Sequence, residues 1–95
     1  MDWEVKHVPE RQCFEVDLGD DVAVLEYIPR GERLVFTHTG VPPAYEGRGI
    51  ASALVKAGLN YAREQGYKVI PLCSFVAAYC KRHPEYMDLL AGAGA

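Results

Sequence analysis

The chain contains no run of apolar residues approaching the ~20 that a membrane-spanning helix requires. It begins Met1-Asp2-Trp3-Glu4, without the basic and then apolar segments of a secretory leader. Its three cysteines, Cys13, Cys73 and Cys80, are an odd number with no framework spacing and no Cys-x-x-Cys pair. We therefore expect reduced thiols in a cytoplasmic protein and no metal site, since Cys73, Cys80 and His83 lack a fourth ligand. Basic charge is scarce as well. Ten Lys and Arg against 13 Asp and Glu leave a formal net charge of −3. The one basic cluster, Lys81-Arg82-His83, reads as a solvated helix end, so neither nucleic acid nor a membrane is expected as a partner.

What remains is enough for one core. Apolar residues are 49% and charged residues 24% of the 95, an ordinary globular balance, and residues 1–95 are expected to form one domain. The first forty carry strand signals. Trp3 to Val8 alternates apolar with polar, Cys13 to Leu18 follows a Pro9 break, Val22 to Ile28 is mostly apolar, and Arg33 to Thr39 comes after a turn at Pro29-Arg30-Gly31-Glu32. Short connections predict an antiparallel meander for the last three. From Gly40 to Gly49 prolines and glycines crowd the chain. A helix is then predicted over about Gly49 to Gln65. Ile50, Ala51, Leu54, Val55, Gly58, Leu59, Tyr61 and Ala62 form its apolar stripe, and Gly66 is its C-cap. Tyr67 to Leu72 reads as a fifth strand. Ser74 is the predicted N-cap of a second helix, Phe75 to His83, which Pro84 stops. One more helical turn is expected over Glu85 to Leu90, and the Ala-Gly tail from Ala91 is expected to fray.

Glu46-Gly47-Arg48-Gly49-Ile50-Ala51, between a strand and a helix N-terminus, has small residues where a backbone must approach a ligand. The first amides of a helix lack partners and carry partial positive charge, which suits an anion. The segment is neither a Walker loop nor the dinucleotide G-x-G-x-x-G, and glycines that merely close a turn would look the same.

Two motifs together carry a resemblance. Thr37-His38-Thr39 through Val41-Pro42-Pro43 to Gly47-Arg48-Gly49-Ile50-Ala51 resembles motif A of the GNAT N-acetyltransferases. Pro71-Leu72-Cys73-Ser74-Phe75-Val76-Ala77-Ala78-Tyr79 and Arg82-His83-Pro84-Glu85-Tyr86 extend the likeness over nearly the whole chain, to the small single-domain branch called minimal acetyltransferases. The resemblance implies an α+β fold: a mixed, mostly antiparallel five-stranded sheet with two main helices. It implies an acetyl-CoA-dependent N-acetyltransferase with an amine acceptor, a small molecule or a protein. Acetyl-CoA is then the co-substrate. Its pyrophosphate would rest on the Q/R-x-x-G-x-G/A turn, here Glu46, Gly47, Arg48, Gly49, Ile50 and Ala51, with Glu46 departing from the pattern and expected to face away. Arg48 would then be the local counter-charge, the alternative being an ordinary solvated surface arginine. Thr39, Gly40 and Val41 would pair with the pantetheine amides like an added strand.

Three residues are candidates for the chemistry. Tyr79 corresponds to the tyrosine that protonates the departing CoA thiolate; the alternative is a helix-core position, since Phe75, Val76, Tyr79 and His83 share a face. Cys73, beside a helix N-terminus, either accepts the acetyl group covalently or lines the acyl pocket. His38 is a general-base candidate, yet its alternation with Leu34 and Phe36 predicts a core-facing ring. Proteins of this type often place an acidic residue after His-Thr; here it is Gly40, which implies deprotonation through water. The alternative is a non-catalytic acyl-CoA-binding module. The helices that wall the acceptor site in larger members are missing between the early strands, so a shallow acceptor pocket, or one completed by a partner subunit, is expected.

Overall fold

The computed structural model describes residues 3–91. One sheet carries five strands in chain order: β1 (Lys6–Val8), β2 (Cys13–Asp17), β3 (Val22–Arg30), β4 (Arg33–Gly40) and β5 (Lys68–Pro71). Neighbours from β1 to β4 pair antiparallel, and β5 pairs parallel with β4. A parallel neighbour needs a crossover rather than a hairpin, and α1 (Ile50–Gln65) provides it. α2 (Ser74–Arg82) and a 3₁₀ stretch (Pro84–Leu89) follow. This is the expected α+β architecture, a mostly antiparallel five-stranded sheet with two main helices.

Several boundaries differ from the sequence reading. β1 begins at Lys6, not Trp3. The β3–β4 turn is only Gly31-Glu32, because Pro29 and Arg30 stay in the strand and Arg30 pairs with Arg33; Gly31 takes the positive φ of 59° that the tight reversal needs. Cys73, not Ser74, is the N-cap of α2. The expected frayed tail starts later than Ala91, whose amide donates to the Val69 carbonyl at 2.8 Å; its other residues, 92–95, lie outside the described residues.

One face of the sheet makes the core. Phe14, Leu25, Tyr27, Leu34, Phe36 and Val69 meet Leu54, Val55, Leu59 and Ala62 of α1 and Val76, Tyr79 and Cys80 of α2. Each large side chain so buried contributes roughly 1.5–3 kcal/mol. At Gly58 α1 runs close against the sheet: a Cβ there would stand 2.9 Å from Leu25 Cδ2. Among the described residues no helix covers the other face.

A bulge in β4 decides what each face receives. Tyr27 pairs with Phe36 and Glu26 with His38, which leaves Thr37 as an extra residue; its Oγ1 donates to the Glu26 carbonyl at 3.3 Å. One inserted residue reverses the alternation that follows it. Phe36 therefore faces the helices, and Thr39, opposite Leu25, does too. His38 turns to the open face and is exposed, which corrects the core-facing expectation.

Candidate active site

β4 outruns β5. Their pairing ends at Phe36 with Pro71, and the Cys73 amide adds one bond to the Phe36 carbonyl at 3.0 Å. From Thr37 to Gly40, β4 keeps β3 on one side and, among the described residues, has no strand on the other. An edge of this kind offers backbone groups to an extended ligand.

The chain then turns through Pro43–Tyr45 and two left-handed glycines, Gly47 at φ 80° and Gly49 at φ 82°. Gly49 caps α1 without a side-chain bond, and the first helical bond runs from the Ala53 amide to the Gly49 carbonyl at 3.1 Å. The amides of Ile50, Ala51 and Ser52 thus have no acceptor within the helix. They border a cleft of about 390 Å³, within the common range for ligand sites.

Of the residues expected to hold acetyl-CoA, Thr39, Val41, Glu46, Gly47, Gly49, Ile50 and Ala51 line this cleft. Gly40 and Arg48 do not. Glu46 is among the lining residues and is itself exposed. Arg48 lays its guanidinium over the Tyr45 ring, 5.4 Å from the centroid, and lines a neighbouring groove of about 540 Å³. Among the described residues no Lys or Arg therefore lines the first cleft, and the amides with the helix dipole are its positive groups.

Three lining residues, Tyr45, Ser52 and Phe75, were not anticipated. Tyr45 donates its hydroxyl to Asp20 Oδ1 at 3.0 Å, tying the loop to the β2–β3 turn. On the other side the Trp3 indole donates to the Arg48 carbonyl at 3.0 Å. The loop is held from both sides by residues distant in sequence, and no local signal announces either contact.

Cys73 is half-buried, and its Sγ lies 3.3 Å from Thr39 Oγ1. Burial pushes this thiol up, but the Thr39 hydroxyl and the amides of Val76 and Phe75 together pull harder the other way, and the net shift is downward. Cys80 has only its burial, and its thiol is pushed up. Cys73 thus combines a stabilised thiolate with direct contact to a cleft-lining residue.

Tyr79 is 5% exposed, packs in the core and stacks on His83 at 4.1 Å. Burial, with Tyr86 and Glu85 nearby, pushes its hydroxyl up and keeps it protonated. Tyr79 lines the neighbouring groove, which meets the cleft at Gly49 and Ser52. The fold therefore brings Thr39, Cys73 and the glycine loop together, sets Tyr79 nearly two helical turns along α2 from Cys73, in the neighbouring groove, and places His38 on the opposite face. The His38 Nε2 would stand 3.1 Å from a Cβ at position 40, so the glycine there leaves room for the ring. No group of three or more His, Cys, Asp or Glu suited to a metal occurs among the described residues.

This geometry coincides with a known family. Residues 13–89 match the model of the GCN5-related N-acetyl-transferases. The chain belongs to this family. Similar proteins include Protein NATD1 of Mus musculus, 41% identical over 91 residues, covering 90% of this chain and 83% of that one. Protein NATD1 of Gallus gallus is 40% identical over 92 residues, 92% of this chain and 84% of that one. The solution NMR structure of a GCN5-like protein from Staphylococcus aureus superposes with a TM-score of 0.73 at 28% identity, covering 95% of this chain and 89% of that one. As a GCN5-related chain it has the fold that generally binds acetyl-CoA. No helix among the described residues is long and apolar enough to cross a membrane.

Proposed function

We propose that the protein is an acetyl-CoA-dependent N-acetyltransferase acting on an amine. The observation that carries the reading is the meeting, in one cleft, of the open first turn of α1 and the unpaired end of β4, with Cys73 held against the cleft-lining Thr39. The amides of Ile50, Ala51 and Ser52 would receive the pyrophosphate. The backbone from Thr39 to Val41 would receive the pantetheine amides, and Phe75 would cover its alkyl portion.

In direct transfer the amine nitrogen attacks the thioester carbonyl, the C–S bond breaks, and the CoA sulfur takes up a proton. A lysine-like acceptor titrates about three pH units above neutrality, so supplying its free base costs about 4 kcal/mol. His38, on the open face, or water relayed beside it would take that proton. Tyr79 would serve as the acid if its hydroxyl reaches the sulfur from the neighbouring groove. The alternative route begins with the Cys73 thiolate, which attacks the carbonyl and releases CoA; the amine then attacks the Cys73 thioester and frees the thiolate. The contact with Thr39 and the lowered thiol pKa favour this second route.

Mass spectrometry of the intact protein after incubation with acetyl-CoA, beside Cys73→Ala, separates the routes. An acetyl adduct that disappears in the variant supports the acyl-enzyme. An adduct present in both marks self-acetylation at an amine. With no adduct on either, an acceptor screen including Tyr79→Phe decides between direct transfer and a binding module. Acetyl-CoA binding with no acetylated acceptor would refute the catalytic reading.

A further inference from the structure

The face of the sheet opposite the helices carries a groove of about 420 Å³ that the acetyl-CoA cleft does not use. Register places Ile28, Val35 and Ile70 abreast on three adjacent strands, and Leu72 continues the apolar row. Ile28 is 39% and Leu72 is 70% exposed. Beside this row Arg30 stands directly opposite Arg33. Like charges facing each other across strands repel. Among the described residues neither guanidinium has an ion pair, although the chain as a whole is acidic. Two unpartnered cations beside exposed apolar side chains match a segment that is both acidic and apolar.

The position of the groove gives that match a purpose. Its far end is formed by Thr37 and Leu72, just past the last β4–β5 pair, Phe36 with Pro71. On the helix side of the same gap lie Thr39 and Cys73. A chain lying in the groove reaches the gap from the face opposite the acetyl-CoA cleft, the face to which His38 also turns.

We propose that this groove is the acceptor site, and that the acceptor is a polypeptide lysine set in an acidic, apolar stretch. The proposal rests on the acetyltransferase reading above. Carboxylates pair with Arg30 and Arg33, apolar side chains lie on Ile28 and Leu72, and the lysine enters the gap beside Thr37. A strand advances about 3.3 Å per residue, so Arg33 is roughly 13 Å from Thr37, and the carboxylates fall about four residues from the lysine. A polyamine, with cations at that spacing, is repelled by the same two arginines.

The test uses three fluorescent lysine peptides of equal length, with Glu-Leu, Gln-Leu or Arg-Leu pairs four residues from the lysine, and spermidine as a fourth acceptor. Each is offered to the wild type and to Arg30→Gln/Arg33→Gln. Binding is read by anisotropy, acetylation by mass spectrometry, and acetyl-CoA affinity by calorimetry. The wild type should bind the acidic peptide about tenfold more tightly than the neutral one, some 1.4 kcal/mol from two exposed ion pairs. The difference should vanish in the double variant and shrink in high salt, with acetyl-CoA affinity unchanged. If the double variant fails to fold, Leu72→Glu, which sets a carboxylate in the groove, must abolish acidic-peptide binding instead. Equal binding of all three peptides, preference for the basic peptide or spermidine, or a preference that survives the double variant overturns the proposal. Peptides acetylated without regard to charge would leave the transferase reading standing and remove the groove. Charge-selective binding with no acetylation would do the reverse.

Discussion

Replacing Gly58 by alanine tests how closely α1 rides on the sheet. The added Cβ would stand 2.9 Å from Leu25 Cδ2 and 3.0 Å from Phe36 Cε1 and Cζ. Favourable carbon contacts lie at about 3.5–4.0 Å, so the methyl must displace something. Leu25 and Phe36 are both 0% exposed, and a close-packed interior gives neither an easy way to retreat. Two effects oppose each other. Overpacking costs about 1–3 kcal/mol, whereas exchanging glycine for alanine inside a helix returns about 0.8–1.0 kcal/mol. The net expectation is a loss of about 1 kcal/mol, or a fall in Tm of roughly 4–8 °C for a domain of this size. Gly58→Val, with two further methyl groups and poorer helix propensity, should lose at least twice as much. The effect should also reach the active site, because the Phe36 carbonyl that accepts the Cys73 amide moves with its ring. Thermal and urea unfolding followed by circular dichroism, with acetyl-CoA calorimetry alongside, measures both. An alanine variant about 1 kcal/mol more stable than the wild type would mean that the helix gain meets no resistance, and would refute the close approach.

Three further outcomes are expected. Iodoacetamide alkylation of the native protein should modify Cys73 with a pH midpoint below that of an ordinary cysteine and leave buried Cys80 untouched, and Thr39→Val should move the Cys73 midpoint upward; equal reactivity of the two thiols would contradict this. Burial, with Tyr61 nearby, pushes Tyr27 from 10.0 up to about 12. The unfolded chain then releases this proton first, so stability should fall as pH rises from about 10 to about 12, while absorbance near 295 nm shows tyrosine titrating late in the native state, Tyr27 together with the raised Tyr79 and Tyr45. Trp3→Phe removes the donor to the Arg48 carbonyl but keeps an aromatic ring; it should weaken acetyl-CoA binding several-fold with a small change in Tm, and unaltered affinity would show that this tether does not hold the loop.

Much of this molecule is legible in local pattern because its elements obey local rules. The stripe from Ile50 to Ala62 has helical spacing and is the face that packs, and Gly66, at φ 79°, ends the helix as a glycine C-cap should. Gly47 and Gly49 stand where positive φ is needed, so the glycine pattern and the cleft coincide. His38 was misread for a reason with a physical location. The bulge at Thr37 exists only because β4 pairs with β3 in a particular register, and parity beyond it cannot be counted along β4 alone. The Thr39–Cys73 contact spans 34 positions and Trp3–Arg48 spans 45, so each follows from the sheet topology and has no trace in nearby residues.

The central claim is that the first turn of α1 and the free end of β4 jointly hold acetyl-CoA. A two-dimensional amide NMR titration of the labelled protein with acetyl-CoA tests it most directly. The amides of Gly47 to Ser52 and of Thr39 to Val41 should shift together, saturating with one dissociation constant, while the amides around Ile28 and Arg33 on the open face stay in place. Shifts confined to the open face, or none at millimolar acetyl-CoA, would contradict the account.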